Sequence, residues 1–119
     1  MTINDVQKAI EAELVEGTGR DDVEILSACG ADLMSDVMAF VKDQVLLLTG
    51  LINVQVIRTS ILMDIQAICF VRGKGPTQEM IDMARENGIV LLKTRLPLFL
   101  ACGRLYEAGV RQGGVRPID

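Results

Sequence analysis

Two short, wholly apolar runs, Val45–Leu48 and Ala67–Val71, flank a segment whose apolar residues recur at helical spacing. Each run ends in glycine and polar residues, Thr49-Gly50 after the first and Arg72-Gly73-Lys74-Gly75 after the second. This pattern predicts a β-α-β unit. Runs without alternation imply strands covered on both faces, as in a parallel sheet. The polar residues then fall at strand carboxyl ends, where open α/β sheets place ligand crevices.

The same patterning covers the rest of the chain. Val6, Ile10 and Leu14 predict a first helix over Asn4–Leu14, with Asn4 as N-cap and Gln7 three residues on. Glu16–Asp22 reads as a polar connector broken by Gly17 and Gly19. Val23–Cys29 predicts a first, less buried strand. Asp32 is then the expected N-cap of a second helix whose buried face is Leu33, Met34, Val37, Met38 and Val41, closed by Lys42-Asp43. Between the two apolar runs, Asn53 caps a helix over Val54–Met63 with a stripe of Val54, Ile57 and Ile61. A fourth helix runs from Pro76-Thr77 to Asn87, with Met80, Ile81 and Ala84 inward. Ile89–Leu92 is another buried strand. Pro97 opens a last helix that buries Leu98, Phe99, Cys102, Leu105 and Tyr106 and ends at Gly109. Gly103 inside that helix costs about 1 kcal/mol against alanine, which implies close packing there. The order α-β-α-β-α-β-α-β-α implies one compact α/β domain over residues 1–110, followed by a flexible tail, 111–119.

Composition sharpens this outline. Half of the 119 residues are hydrophobic and 3% aromatic, so the core is aliphatic. The mean hydropathy is +0.34, yet no apolar run approaches the ~18 residues of a membrane span. The apolar surplus predicts a homo-oligomer. Without an apolar leader at MTINDVQKAI, the expected location is cytoplasmic, away from any membrane. Residues 1–43 carry ten acids and three bases, net −7; residues 44–119 carry six acids and nine bases, net +3. That division is either ordinary solvated surface or an acidic half beside a mildly basic, anion-tolerant loop region. An acidic chain with so few aromatics implies no nucleic-acid partner.

The chain has no histidine, which removes Ser-His-Asp and Cys-His catalysis and every histidine-bearing metal motif. Cys29, Cys69 and Cys102 read as free, structural core thiols; Cys29, beside a helix start, is the one candidate for a lowered pKa. No carboxylates form an acid/base pair: Asp32 is read as a cap, and Asp82 and Glu86 as solvated face. No catalytic residue, metal site or cofactor is therefore expected. The Arg72–Thr77 loop is neither GxxxxGK[ST] nor GxGxxG. The amides of Gly73 and Gly75, with Lys74 and Thr77, could still hold an anion, and Thr49-Gly50 with Asn53 lines the same side of the sheet. Arg58 falls inside the apolar stripe of its helix. It either snorkels or pairs with a carboxylate such as Asp64, or it faces a ligand or a subunit interface.

Over most of Ala28–Gly109 the chain resembles the DRTGG-domain family, in its small stand-alone branch, through GLINVQVIRT (Gly50–Thr59) and ICFVRGKGP (Ile68–Pro76). Arg58-Thr59 stand where the family has its Arg-Thr; at the later Thr-Gly-Gly this chain has Val71-Arg72-Gly73. The resemblance implies a fold similar to the N-terminal domain of HPr kinase/phosphorylase: three-layer α/β/α with a mainly parallel sheet of four strands or slightly more. It also implies a regulatory module rather than a kinase, since the P-loop domain of that enzyme has no counterpart here. The expected function is non-catalytic sensing of a nucleotide or phosphorylated metabolite, with Thr49, Gly50, Asn53, Arg58, Arg72, Gly73, Lys74 and Thr94 lining the crevice. The alternative is an interaction or assembly subunit, for example of a redox or hydrogenase-type complex, without a small-molecule site.

Overall fold

The computed structural model describes residues 1–20, 22–40 and 44–113. Val41, Lys42 and Asp43, expected in and after the second helix, lie outside the described residues, as does 114–119 of the expected tail. The elements are α1 (Ile3–Ile10), β1 (Glu13–Glu16), β2 (Ser27–Gly30), α2 (Met34–Phe40), β3 (Val45–Thr49), α3 (Val54–Leu62), β4 (Ala67–Phe70), α4 (Gln78–Glu86), β5 (Val90–Lys93) and α5 (Leu98–Ala108). The five strands form one sheet in the order β1-β5-β4-β3-β2. β2 to β5 are parallel neighbours in chain order, and β1 joins β5 antiparallel, so the sheet is mixed.

Strand side chains alternate between the two faces. Leu46, Leu48, Ala67, Cys69, Val90 and Leu92 enter a core with α1 and α5. Val45, Leu47, Ile68, Phe70, Ile89 and Leu91 enter a second core with α2, α3 and α4. Successive right-handed crossovers between neighbouring parallel strands leave their helices on one face; the terminal helices cover the other. The result is a three-layer α/β/α domain with strands buried on both sides, and β3, β4 and β5 lie within one residue of their expected bounds. Among the described residues, no helix is long and apolar enough to cross a membrane.

The corrections concern the ends and edges. The cap of α1 is Thr2, not Asn4: its hydroxyl accepts from Asp5 N at 3.1 Å, and the Asp5 carboxylate accepts from Thr2 N at 3.0 Å. α1 stops at Glu11, whose left-handed φ of 52° lets Ala12 N donate to Gln7 O. That turn frees Glu13–Glu16 to become β1, which the sequence reading divided between helix and connector. The strand expected from Val23 begins only at Ser27; Val23 and Ile25 are buried as irregular chain. α3 buries Val56, Ile57, Thr59 and Ser60, while Ile61 is exposed. Leu33, just before α2, and Met38 on it are exposed; on α5, Phe99 is 84% and Tyr106 55% exposed, and only Ala101 and Leu105 are buried. A Cβ at Gly103 would meet open space, so close packing does not explain that glycine.

Candidate functional site

The carboxyl ends of β3, β4 and β5 open on the same edge of the sheet, and each loop there is tied to its neighbour. After β3, the buried Thr49 hydroxyl donates to Asp32 Oδ1 at 3.1 Å and accepts from Leu51 N. Gly50 N donates to the same Asp32 oxygen at 2.7 Å. Asp32 therefore does not cap α2 as expected; it clamps the β2–α2 loop to the β3–α3 loop. Asn53 caps α3 as expected, accepting from Gln55 N at 2.8 Å.

After β4 the chain makes a tight left-handed turn, with φ of 61° at Arg72 and 73° at Gly73. A non-glycine residue in this region costs roughly 1–3 kcal/mol and persists only where its surroundings hold it. Here Arg72 N donates to Leu96 O at 2.9 Å and Gly73 N to Thr94 O at 2.8 Å. The Gly73 amide is thus engaged within the fold and is not presented to an anion. The turn instead aims two cations at Gly50. Lys74 Nζ donates to Gly50 O at 3.2 Å. The Arg72 guanidinium lies on the Gly50 backbone, where a Cβ would be 2.6 Å from Nη2. Among the described residues, neither cation has an ion pair.

After β5, Thr94 is buried; its hydroxyl donates to Ile10 O at 2.6 Å and accepts from Leu96 N at 3.2 Å. It anchors the end of α1. A cavity of about 340 Å3 opens beside it, lined by Glu11, Glu13, Gly73, Lys93, Thr94 and Arg95. Three of its four charges are already matched, Lys93 with Glu13 at 2.9 Å and Glu11 with Arg104 at 2.7 Å. Arg58 lies about 7 Å along α3 from Asn53. It is exposed, and among the described residues it pairs with neither Asp64 nor any other carboxylate.

The structure thus gathers Thr49, Gly50, Arg72, Gly73 and Lys74, places Asn53 on the adjoining helix start, puts the Thr94 hydroxyl inside the fold, and leaves Arg58 apart. Sequence reasoning missed Asp32 as a clamp and the Glu11–Glu13–Lys93–Arg95 cavity; the second requires β1, which was not foreseen. A larger cavity, about 620 Å3, lies between α1 and the end of α5, lined by Met1, Asp5, Lys8, Ala9, Ile25, Leu26 and 108–110. It shares no residue with the strand carboxyl ends. Burial pushes the Cys69 thiol up to about 12 and raises those of Cys29 and Cys102, so the helix start beside Cys29 does not lower its thiol.

No protein-family model matches the chain, and no curated protein sequence does. A solved structure is similar: the CBS and DRTGG domains of the regulatory region of Clostridium perfringens pyrophosphatase, complexed with the activator diadenosine tetraphosphate. The TM-score is 0.74 at 16% identity, over 99% of this chain and 51% of that one. The chain therefore spans about half the length of that neighbour, and the likeness supports a DRTGG-like fold.

Proposed function

We propose that this domain is a non-catalytic ligand-sensing module that binds a nucleotide or phosphorylated metabolite at the carboxyl ends of β3 and β4. The observation that carries this reading is the convergence of Arg72 and Lys74 on Gly50, two cations without a carboxylate partner among the described residues, held by a strained left-handed turn. An anionic ligand adds charge-assisted bonds to both, with Thr49, Gly50, Asn53 and Gly73 lining the seat. Thr94 shapes the neighbouring cavity through its buried anchor, and Arg58 is an outer contact for a long ligand. The side chains, rather than the amide cradle expected from the glycines, supply the recognition. The nucleotide activator of the structural neighbour agrees with this ligand class. The absence of histidine and the raised pKa of the Cys69 thiol favour the non-catalytic part of the reading. A relation to the N-terminal domain of HPr kinase/phosphorylase belongs to the same reading.

Isothermal titration with diadenosine tetraphosphate, ATP, ADP and AMP tests it. Heat is expected with the native chain and loss of binding with Arg72→Ala plus Lys74→Ala. No heat with any of these ligands overturns the reading. The second reading, an assembly subunit that also associates with itself, draws on Phe99, Leu62 and Leu33, which are 84%, 70% and 60% exposed. It predicts a stable complex that is indifferent to the same double substitution.

A further inference from the structure

The two outer edges of the sheet are protected in different ways. β1 carries Glu13, paired with Lys93, and its register with β5 is broken by a bulge between Leu14 and Glu16. Charges and bulges stop an edge from accepting another strand. β2 is Ser27-Ala28-Cys29-Gly30, with no charge and no proline. Its register with β3 runs unbroken from Ser27↔Val45 to Gly30↔Leu48. Uncharged, small and regular, it is a template for pairing.

What covers it is the segment after α5. Gly109, at φ 122°, turns the chain back, and the buried Val110 fixes the turn by donating to Leu105 O at 3.0 Å. Gln112 then bridges Ser27 in parallel, and its carbonyl accepts from Ala28 N at 3.0 Å. Arg111 stacks over the Tyr106 ring at 4.5 Å. A cavity of about 240 Å3 lies between this arm and Ala28, Cys102, Leu105 and Tyr106.

We infer that the outer edge of β2 is a self-association surface for a second copy of this chain, held shut by the arm Val110–Gly113. With the arm lifted, the outward N–H of Ala28 loses its acceptor. Two β2 strands can then pair antiparallel across a two-fold axis, an arrangement that closes on itself. Their small, uncharged side chains offer no repulsion to one another. The inference goes beyond ligand sensing and does not depend on it.

Val110→Asp in the full chain tests it, because a carboxylate leaves the apolar cluster and takes the arm with it. In dilute solution the Ala28 amide should exchange about tenfold faster or more than in the native chain. As concentration rises, the variant should gain mass by light scattering beyond the native chain and regain protection at Ala28. Adding Ala28→Pro removes the outward donor, leaves the inward pairing with β3 intact and should abolish that gain. Arg111→Ala, a milder release, should show the same effect in smaller degree. The inference is overturned if Val110→Asp leaves Ala28 as protected as in the native chain. It is equally overturned if Ala28 exchanges freely without any gain in mass, or if Ala28→Pro does not reverse the gain.

Discussion

Asp32 and Gly50 are eighteen residues apart and joined by a 2.7 Å hydrogen bond from the Gly50 amide to the Asp32 carboxylate. The same oxygen accepts from the buried Thr49 hydroxyl. One carboxylate therefore fixes the backbone on which Arg72 and Lys74 converge. Asp32→Ala leaves a buried hydroxyl and an amide without an acceptor, each worth roughly 1–3 kcal/mol. Urea denaturation should show a loss of that order. Asp32→Asn keeps an acceptor and should lose less. Equal stability of all three proteins would remove the clamp.

Gly50→Ala separates the site from the fold. The new Cβ would lie 2.6 Å from Arg72 Nη2, but that atom ends a flexible side chain and can swing away. The melting temperature should stay within a few degrees of native. Phosphate-ligand affinity should fall about tenfold, the worth of one displaced charge-assisted contact. Titration calorimetry beside thermal denaturation checks both halves. Undiminished affinity would take Arg72 out of the site.

β3 and β4 were legible because burial on both faces leaves them apolar except for Thr49: Val45–Thr49 and Ala67–Phe70 are buried throughout. Asn53 and Thr77 were legible as helix starts because their side chains bond to amides two or three residues on. β1 was not, because Leu14 fits a helical period as well as a strand, and only the left-handed turn at Glu11 decides between them. Phe99 and Tyr106 have the spacing of a buried stripe. Periodicity says what a helix can bury, not how much partner surface lies beneath it, and α5 is an outer helix. At the site, Thr49-Gly50 and Arg72–Lys74 end the two strands of one β-α-β unit, so that grouping followed from the unit itself. The engagement of the Thr94 hydroxyl did not, since its acceptor, Ile10 O, lies 84 residues away.

Leu47 and Phe99 make opposite predictions from similar hydrophobicity. Leu47 is fully buried in the core beneath α2, α3 and α4. Leu47→Ala should cost about 2–5 kcal/mol through lost transfer energy and a residual cavity. Phe99→Ala should stay within about 0.5 kcal/mol in the monomer. Chemical denaturation at low concentration measures both. A large loss at Phe99 under those conditions would mean that α5 is seated more deeply than described.

The Cys69 thiol links stability to alkaline pH. Its side chain is fully buried, and burial raises its pKa from 9.0 to about 12. Above pH 9 the unfolded chain releases this proton while the folded chain retains it, so the unfolded state binds fewer protons and stability falls as pH rises. The protonated thiol's contribution is complete below pH 9 and is lost progressively towards pH 12. The slope for one fully linked group is about 1.4 kcal/mol per pH unit. Cys69→Ala removes the group, at the cost of a small cavity that is independent of pH. Guanidinium denaturation of both proteins from pH 8 to 11 should give curves that run parallel below pH 9 and converge above it. Curves that stay parallel to pH 11 would show that Cys69 ionises in the folded protein as readily as in the unfolded chain.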